Sequence, residues 1–211
     1  MALIYYCDIQ PVMLNRLRYA LDPILNKAGL LFASTGLTPN FWTALVLVMS
    51  SASGITYMTA GPLFGFDWYT VSVAGSILLL ASGFFDVIDG CVARVTNQTS
   101  KKGSYLDSIF DKVSEAIIFI GIAVGYLANP ILCQVALALS LLVSYTRAKA
   151  ESIGIELKGI GIGERAERLL ILALMGLLPF EYALQLAVIL ISIIAAITLG
   201  QRIFLTLKNL Y

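Results

Sequence analysis

Asp86 and Asp89 stand three residues apart, and Asp107 and Asp111 stand four apart. On helices, each pair falls on one face. Four carboxylates gathered near a membrane are costly unless something positive joins them. Oxygen donors without nitrogen or sulfur suit Mg²⁺, Mn²⁺ or Ca²⁺. Two such ions about 4 Å apart would clamp a phosphoryl group in transfer. Gly90 removes a side chain where a flat or bulky group must approach the backbone. Ala93 keeps the same face open, and Arg94 can neutralise phosphate charge. The plainer alternative is that these are helix-end carboxylates paired with Arg94, Lys101, Lys102 and Lys112. Two face-matched pairs with small residues between them argue against it.

The sequence contains no histidine. Zinc sites of the usual kind and Ser/His triads are therefore excluded, and a general base must be a carboxylate, Lys, Tyr or Cys. Cys7, Cys91 and Cys133 are isolated and lack metal-binding spacing, so they read as small apolar residues. The first ten residues include Asp8 and no basic stretch, unlike a signal peptide.

The elements that carry these residues are read from an apolar chain. Of 211 residues, 59% are hydrophobic and 13% charged, against about 25% charged in a soluble domain. The bilayer is the expected solvent. Six apolar stretches are long enough to propose as transmembrane helices: 40–60, 68–95, 105–127, 130–151, 166–178 with its flanks, and 181–207. The second and third are expected to be antiparallel neighbours, which lets the two aspartate pairs meet at one level. All 14 Lys and Arg residues fall on one side of this arrangement, which puts both termini in the cytoplasm. Leu14, Leu17, Leu21, Ile24, Leu25 and Ala28 recur at helical spacing among Asn15, Arg16, Arg18 and Lys27. They predict an amphipathic juxtamembrane helix on the inner leaflet, within residues 11–30. The expected fold is all-α: one integral-membrane catalytic domain over residues 1–211, with a six-helix bundle over 40–208. No internal repeat is visible.

The run Asp-x2-Asp-Gly-x2-Ala-Arg-x8-Gly-x3-Asp-x3-Asp, from Asp86 through Asp111, resembles the signature of the CDP-alcohol phosphotransferases at every position. The resemblance implies that Asp86, Asp89, Asp107 and Asp111 hold Mg²⁺ or Mn²⁺, as two ions. It implies that Asp111 is also the general base for the acceptor alcohol. Asp86, Asp89, Gly90, Ala93, Arg94, Gly103 and Asp107 would then bind the CDP group, with Asn40 and Thr43 reaching its phosphates. The donor would be CDP-diacylglycerol or CDP-archaeol. The alkoxide would attack the lipid-linked phosphorus directly, releasing CMP. The resemblance further implies a homodimer in a prokaryotic plasma membrane, with the site facing the cytoplasm and no nucleic-acid partner.

A second cluster bears on the acceptor. Ser144-Tyr145-Thr146-Arg147-Ala148-Lys149-Ala150-Glu151 precedes Glu164-Arg165-Ala166-Glu167-Arg168. These segments are similar to those of phosphatidylinositol-phosphate and archaetidylinositol-phosphate synthases, with Lys149 where Arg is usual. Arg147, Lys149, Arg165 and Arg168 are the expected ligands of an acceptor phosphate. Inositol 1-phosphate is the first choice and glycerol-3-phosphate the rival. Intramembrane prenyltransferases also use two aspartate motifs, but without the Asp-Gly-x2-Ala-Arg element. Carboxylate-relay transporters more often place such groups at mid-membrane.

Overall fold

The computed structural model describes residues 27–96, 98, 100–157 and 159–210. Six helices follow in order: α1 (Pro39–Met58), α2 (Trp68–Val95), α3 (Lys101–Val124), α4 (Pro130–Ser152), α5 (Arg165–Gly176) and α6 (Ala183–Leu210). Each lies within a few residues of its expected position, and no strand occurs among the described residues. Residues 27–33 are also helical; the remainder of the expected amphipathic segment, and Lys158, lie outside the described residues.

Helices α1, α2, α4 and α6 are long and apolar enough to cross a membrane. This is an integral membrane protein. The other two helices differ for identifiable reasons. The first 15 residues of α3 carry Lys101, Lys102, Asp107, Asp111, Lys112 and Glu115. Helix α5 has 12 residues, which gives it a length of only about 18 Å against a hydrocarbon core of about 30 Å.

The helix ends follow from local chemistry. Asp67 Oδ2 accepts the Thr70 N–H at 2.8 Å and its hydroxyl at 2.9 Å, and so starts α2. These bonds, the backbone one foremost, hold the Asp67 carboxyl below its ordinary range. A lowered folded-state pKa gives a cap that is intact at neutral pH and lost as the pH falls through that value. Ser100 Oγ accepts the Gly103 N–H at 3.0 Å, which starts α3 four residues before the expected 105. Asn129 Oδ1 accepts the Ile131 and Leu132 N–H groups ahead of Pro130, opening α4.

Packing departs from expectation at one point. Helix α1 packs against both α2 and α3, which do not pack extensively against each other. The second and third helices thus meet at their aspartate-bearing ends, with α1 packed along both. Small residues on α1 explain this. A Cβ on Gly121 of α3 would meet the Gly54 carbonyl oxygen of α1, and a Cβ on Gly54 would lie 2.6 Å from the Ile117 carbonyl oxygen. Not even a methyl side chain can enter such a crossing, so the backbones touch. Buried hydroxyls then tie the helices: Ser50 Oγ donates to Ser114 Oγ at 2.7 Å, and Ser53 Oγ donates to the Gly75 carbonyl at 2.7 Å. In an apolar surround such bonds supply much of what hydrophobic burial supplies in water.

The remaining contacts close the bundle. Helix α2 packs on α5, α3 on α4, α4 on α6, and α5 on α6. Near the aspartate-bearing ends, Trp42 of α1 stacks on Phe85 of α2 and meets Phe32 of the 27–33 helix edge-on. The buried Arg202 of α6 donates to the carbonyls of Val143 at 2.7 Å and Ile160 at 3.0 Å. It thereby pins the connection between α4 and α5, a packing role beyond the topological one that its charge suggested.

Candidate active site

Asp86 and Asp89 lie toward the C-terminal end of α2, and Asp107 and Asp111 lie in the first turns of α3. One carboxylate oxygen from each of Asp86, Asp107 and Asp111 lies within 4.8 Å of the others. The fourth aspartate stands apart from this triplet. Asp89 is 9% exposed, and its Oδ2 accepts a hydrogen bond from Thr43 Oγ1 of α1 at 3.0 Å. The position of α1 therefore has a consequence at the site, because it brings a hydroxyl to a carboxylate that α2 alone would leave unpartnered.

Thr43 Oγ1 also lies 3.2 Å from the Pro39 carbonyl, but a hydroxyl has one proton, and an ionised carboxylate is the stronger acceptor. A hydrogen bond to a charged group contributes about 1.5–3 kcal/mol. Thr43→Val is accordingly expected to release Asp89 and to raise the KM for the substrate held beside it about tenfold or more. Steady-state kinetics with the other substrate saturating would read this. A KM unchanged from wild type would remove Thr43 from the site.

A cavity of about 180 Å³ is lined by Pro39, Asn40, Thr43, Asp89, Gly90, Ala93, Gln98, Ser100, Gly103, Ser104 and Asp107. Seven of the residues singled out from the sequence thus meet in one place: Asn40, Thr43, Asp89, Gly90, Ala93, Gly103 and Asp107. Among the described residues, the only neighbour within 4 Å of a Cβ built on Gly90 is Arg94 Nη1, at 3.6 Å, so the glycine leaves open space rather than packing room. Gln98, Ser100 and Ser104 were not anticipated as part of this wall. Arg94 is not among the lining residues, and its Nη2 donates to Cys91 Sγ at 3.1 Å.

A second cavity of about 240 Å³ runs between α2 and α5. Its wall is largely apolar, including Leu79, Leu80, Leu169 and Leu170, with Asp86 and Arg165 as its charged members. Asp86 therefore belongs to both the acidic triplet and this groove. A further apolar cavity of about 540 Å³, at the opposite ends of α1 and α3, includes Met58, Phe119 and Val124 and touches no carboxylate.

The basic residues divide. Arg165 Nη1 lies 2.6 Å from Asp111 Oδ1 and 3.5 Å from Asp86 Oδ1. Lys112 Nζ is 4.0 Å from Asp111 Oδ2. Arg168, expected beside Arg165 as a second phosphate ligand, is 1% exposed. It donates through Nη2 to Glu115 Oε1 and through Nη1 to the Gly163 carbonyl, both at 3.0 Å. Arg147 pairs with Glu151 one turn along α4, at 2.8 Å. Lys149 is exposed and makes no ion pair among the described residues. Of the four basic residues, Arg165 is the one in contact with the aspartates. The interleaved glutamates also find a local explanation, since Glu167 Oε2 accepts the Glu164 N–H at 2.9 Å in a capping box that starts α5.

The donor set fits a divalent cation. It consists of hard carboxylate oxygens, close enough to converge on one ion, and a guanidinium already lies against two of them. A positive charge is what this cluster requires.

A family model for CDP-alcohol phosphatidyltransferases matches residues 36–200. The chain belongs to that family. It is an enzyme, a transferase of phospholipid biosynthesis. Among its relatives, the archaetidylinositol phosphate synthase of Pyrococcus horikoshii is 33% identical over 94% of this chain and 98% of its own. That of Methanothermobacter thermautotrophicus is 34% identical over 96% and 98%. The phosphatidylinositol phosphate synthase of Mycobacterium tuberculosis, solved with CDP-DAG bound, superposes with a TM-score of 0.73 at 25% identity, covering 87% of this chain and 94% of that one. The same mycobacterial enzyme in complex with manganese and citrate gives a TM-score of 0.72.

Proposed function

We propose that this transferase moves the lipid-phosphate group of a CDP-activated lipid onto a hydroxyl of inositol 1-phosphate, releasing CMP and forming a phosphoinositol-phosphate lipid. The observation that carries the reading is the junction of the two cavities at the aspartates. Asp107 borders the polar cavity, Asp86 borders the apolar groove, and the two carboxylates converge with Asp111. A CDP-lipid has that form, with a nucleotide at one end, hydrocarbon at the other, and a pyrophosphate between. The relatives named as inositol-phosphate lipid synthases support the choice of acceptor.

In this reading, Asn40, Thr43, Gly90, Ala93 and Gly103 enclose the CDP group, with Arg94 at the edge of the cavity. Leu79, Leu80, Leu169 and Leu170 receive hydrocarbon. Asp86, Asp89, Asp107 and Asp111 hold Mg²⁺ or Mn²⁺, as two ions. The metal, when bound, screens the pyrophosphate and stabilises the leaving CMP. Asp111 takes the proton of the acceptor hydroxyl. The hydroxyl oxygen bonds to the lipid-linked phosphorus as the bond from that phosphorus to the CMP oxygen breaks. Arg165 supplies the donor fork for the acceptor phosphate, with Arg147 and Lys149 adding positive charge on its approach. Arg168 acts from below by fixing the first turn of α5. The chain is read as one catalytic domain of six spans with both termini and the site on the cytoplasmic side of a prokaryotic plasma membrane, working as a homodimer. The short α5 fits a locally thinned crossing rather than a full-length one.

The test is CMP release by purified protein with Mg²⁺ or Mn²⁺, using CDP-diacylglycerol and CDP-archaeol as donors. Inositol 1-phosphate, glycerol-3-phosphate, serine and inositol are offered as acceptors. Turnover dependent on inositol 1-phosphate is expected. Turnover with glycerol-3-phosphate alone would move the acceptor to that alcohol, and turnover only with unphosphorylated alcohols would remove the phosphate site altogether.

A further inference from the structure

We infer that Arg165 is an internal counter-cation that closes the acidic cluster until a divalent ion enters, and that its displacement couples metal loading to capture of the acceptor phosphate. The inference rests on the reading of the aspartates as the metal site. Asp86, Asp107 and Asp111 hold like charges within 4.8 Å, an arrangement that repels itself without a cation. The structure supplies one from within the chain, with Arg165 Nη1 against Asp111 Oδ1 at 2.6 Å and Asp86 Oδ1 at 3.5 Å. The Arg165 side chain is 16% exposed, so salt screens this contact weakly. A divalent ion seeks the same oxygens. Two cations cannot share them without strong repulsion in so poorly solvated a place, and the doubly charged one holds them more firmly.

The surroundings let Arg165 yield without unfolding anything. One turn along α5, Arg168 is locked by Glu115 and the Gly163 carbonyl, which fixes the backbone that carries Arg165. The Arg165 side chain borders the open groove between α2 and α5 and has room to move there. Its Nε is buried with no hydrogen-bond partner, so part of the donor fork is unused while Nη1 serves the carboxylates. An arriving phosphate satisfies such a fork in full. The metal-free enzyme therefore holds its acceptor ligand occupied, and metal entry releases it. Linkage requires the reverse as well: acceptor phosphate must tighten metal binding by the same factor.

Mn²⁺ binding by the purified protein, followed through the electron paramagnetic resonance of the free ion, tests this without turnover. Saturating inositol 1-phosphate is expected to lower the Kd of wild type for Mn²⁺ by about 5- to 150-fold, the usual range of such coupling, whereas free inositol leaves it unchanged. Arg165→Gln is expected to bind Mn²⁺ about tenfold or more tightly, with no further gain from inositol 1-phosphate; Arg165→Lys, which keeps the charge but not the fork, falls between. A wild-type Kd indifferent to inositol 1-phosphate overturns the inference, as does an Arg165→Gln affinity equal to or weaker than wild type. Asp107→Asn separates the two levels. If Mn²⁺ binding survives that change undiminished, the metal-site reading itself fails. If Asp107→Asn abolishes binding while Arg165→Gln changes nothing, only the counter-cation role falls.

Discussion

Asp111→Asn is expected to lower CMP release by about 100- to 10,000-fold, the span associated with loss of a positioned general base. Asn is nearly the same size and keeps one oxygen, but its amide cannot take the acceptor proton. Asp111 has two further duties that the change also touches. Its carboxylate belongs to the acidic triplet, and its Oδ1 receives Arg165 at 2.6 Å. The duties can be separated by titrating Mn²⁺ into the variant. A loss due only to weakened metal binding is recovered as the ion is raised to saturation; a loss of proton transfer is not. Full turnover at saturating Mn²⁺ would leave Asp111 as a metal ligand and nothing more.

Glu115→Ala is expected to cost about 3–5 kcal/mol of stability, as found when one partner of a buried ion pair is removed. Glu115 is 0% and Arg168 1% exposed, and the pair joins α3 to the start of α5. Deleting the carboxylate strands a guanidinium in a nearly water-free place. Glu115 Oε2 and Arg168 Nε already lack hydrogen-bond partners, so the pair is imperfectly satisfied as it stands. Replacing both residues with apolar ones of similar volume should therefore restore stability, to the wild-type level or about 1–4 kcal/mol above it. Thermal unfolding in detergent, compared across the two single variants and the double, measures this. The same set tests how Arg168 serves the reaction. If it acts only by positioning, Arg168 variants lose melting temperature together with acceptor binding. A raised KM for inositol 1-phosphate with melting unchanged would make Arg168 a direct phosphate ligand, as its spacing from Arg165 first suggested.

These two predictions also mark what reasoning along the chain reaches. Asp111 stands out from sequence because its signal is local: face-sharing spacing with Asp107, and a motif in which Gly90 and Ala93 clear a path. Glu115 carries a weaker signal of the same kind. It lies one turn past Asp111, a charge entering the apolar half of α3, with Lys112 as the nearest cation in sequence. Its choice of Arg168 could not be read, because the two residues are separated by 53 positions. The helix starts were similarly readable at Asn129-Pro130 and less so at α3, where the Ser100 cap moves the boundary outward.

The sequence by itself determined the class of protein and the reaction. Composition dictated a bilayer-solvated bundle, periodicity and turn residues located six helices, the four aspartates with their intervening small residues pointed to metal-assisted phosphoryl chemistry, and the resemblance of that motif to the CDP-alcohol phosphotransferases narrowed the donor. These properties are legible because they depend on residues within a few turns of one another. Tertiary structure decided what depends on which helices touch. Close contact through Gly54 and Gly121 set α1 along both α2 and α3, which brought Thr43 to Asp89. Packing of α5 on α2 delivered Arg165 to Asp111 and Asp86, while the same turn buried Arg168 against Glu115. Two arginines three residues apart, alike in sequence, thus received different work, because one faces the acidic cluster and the other the interior of the bundle.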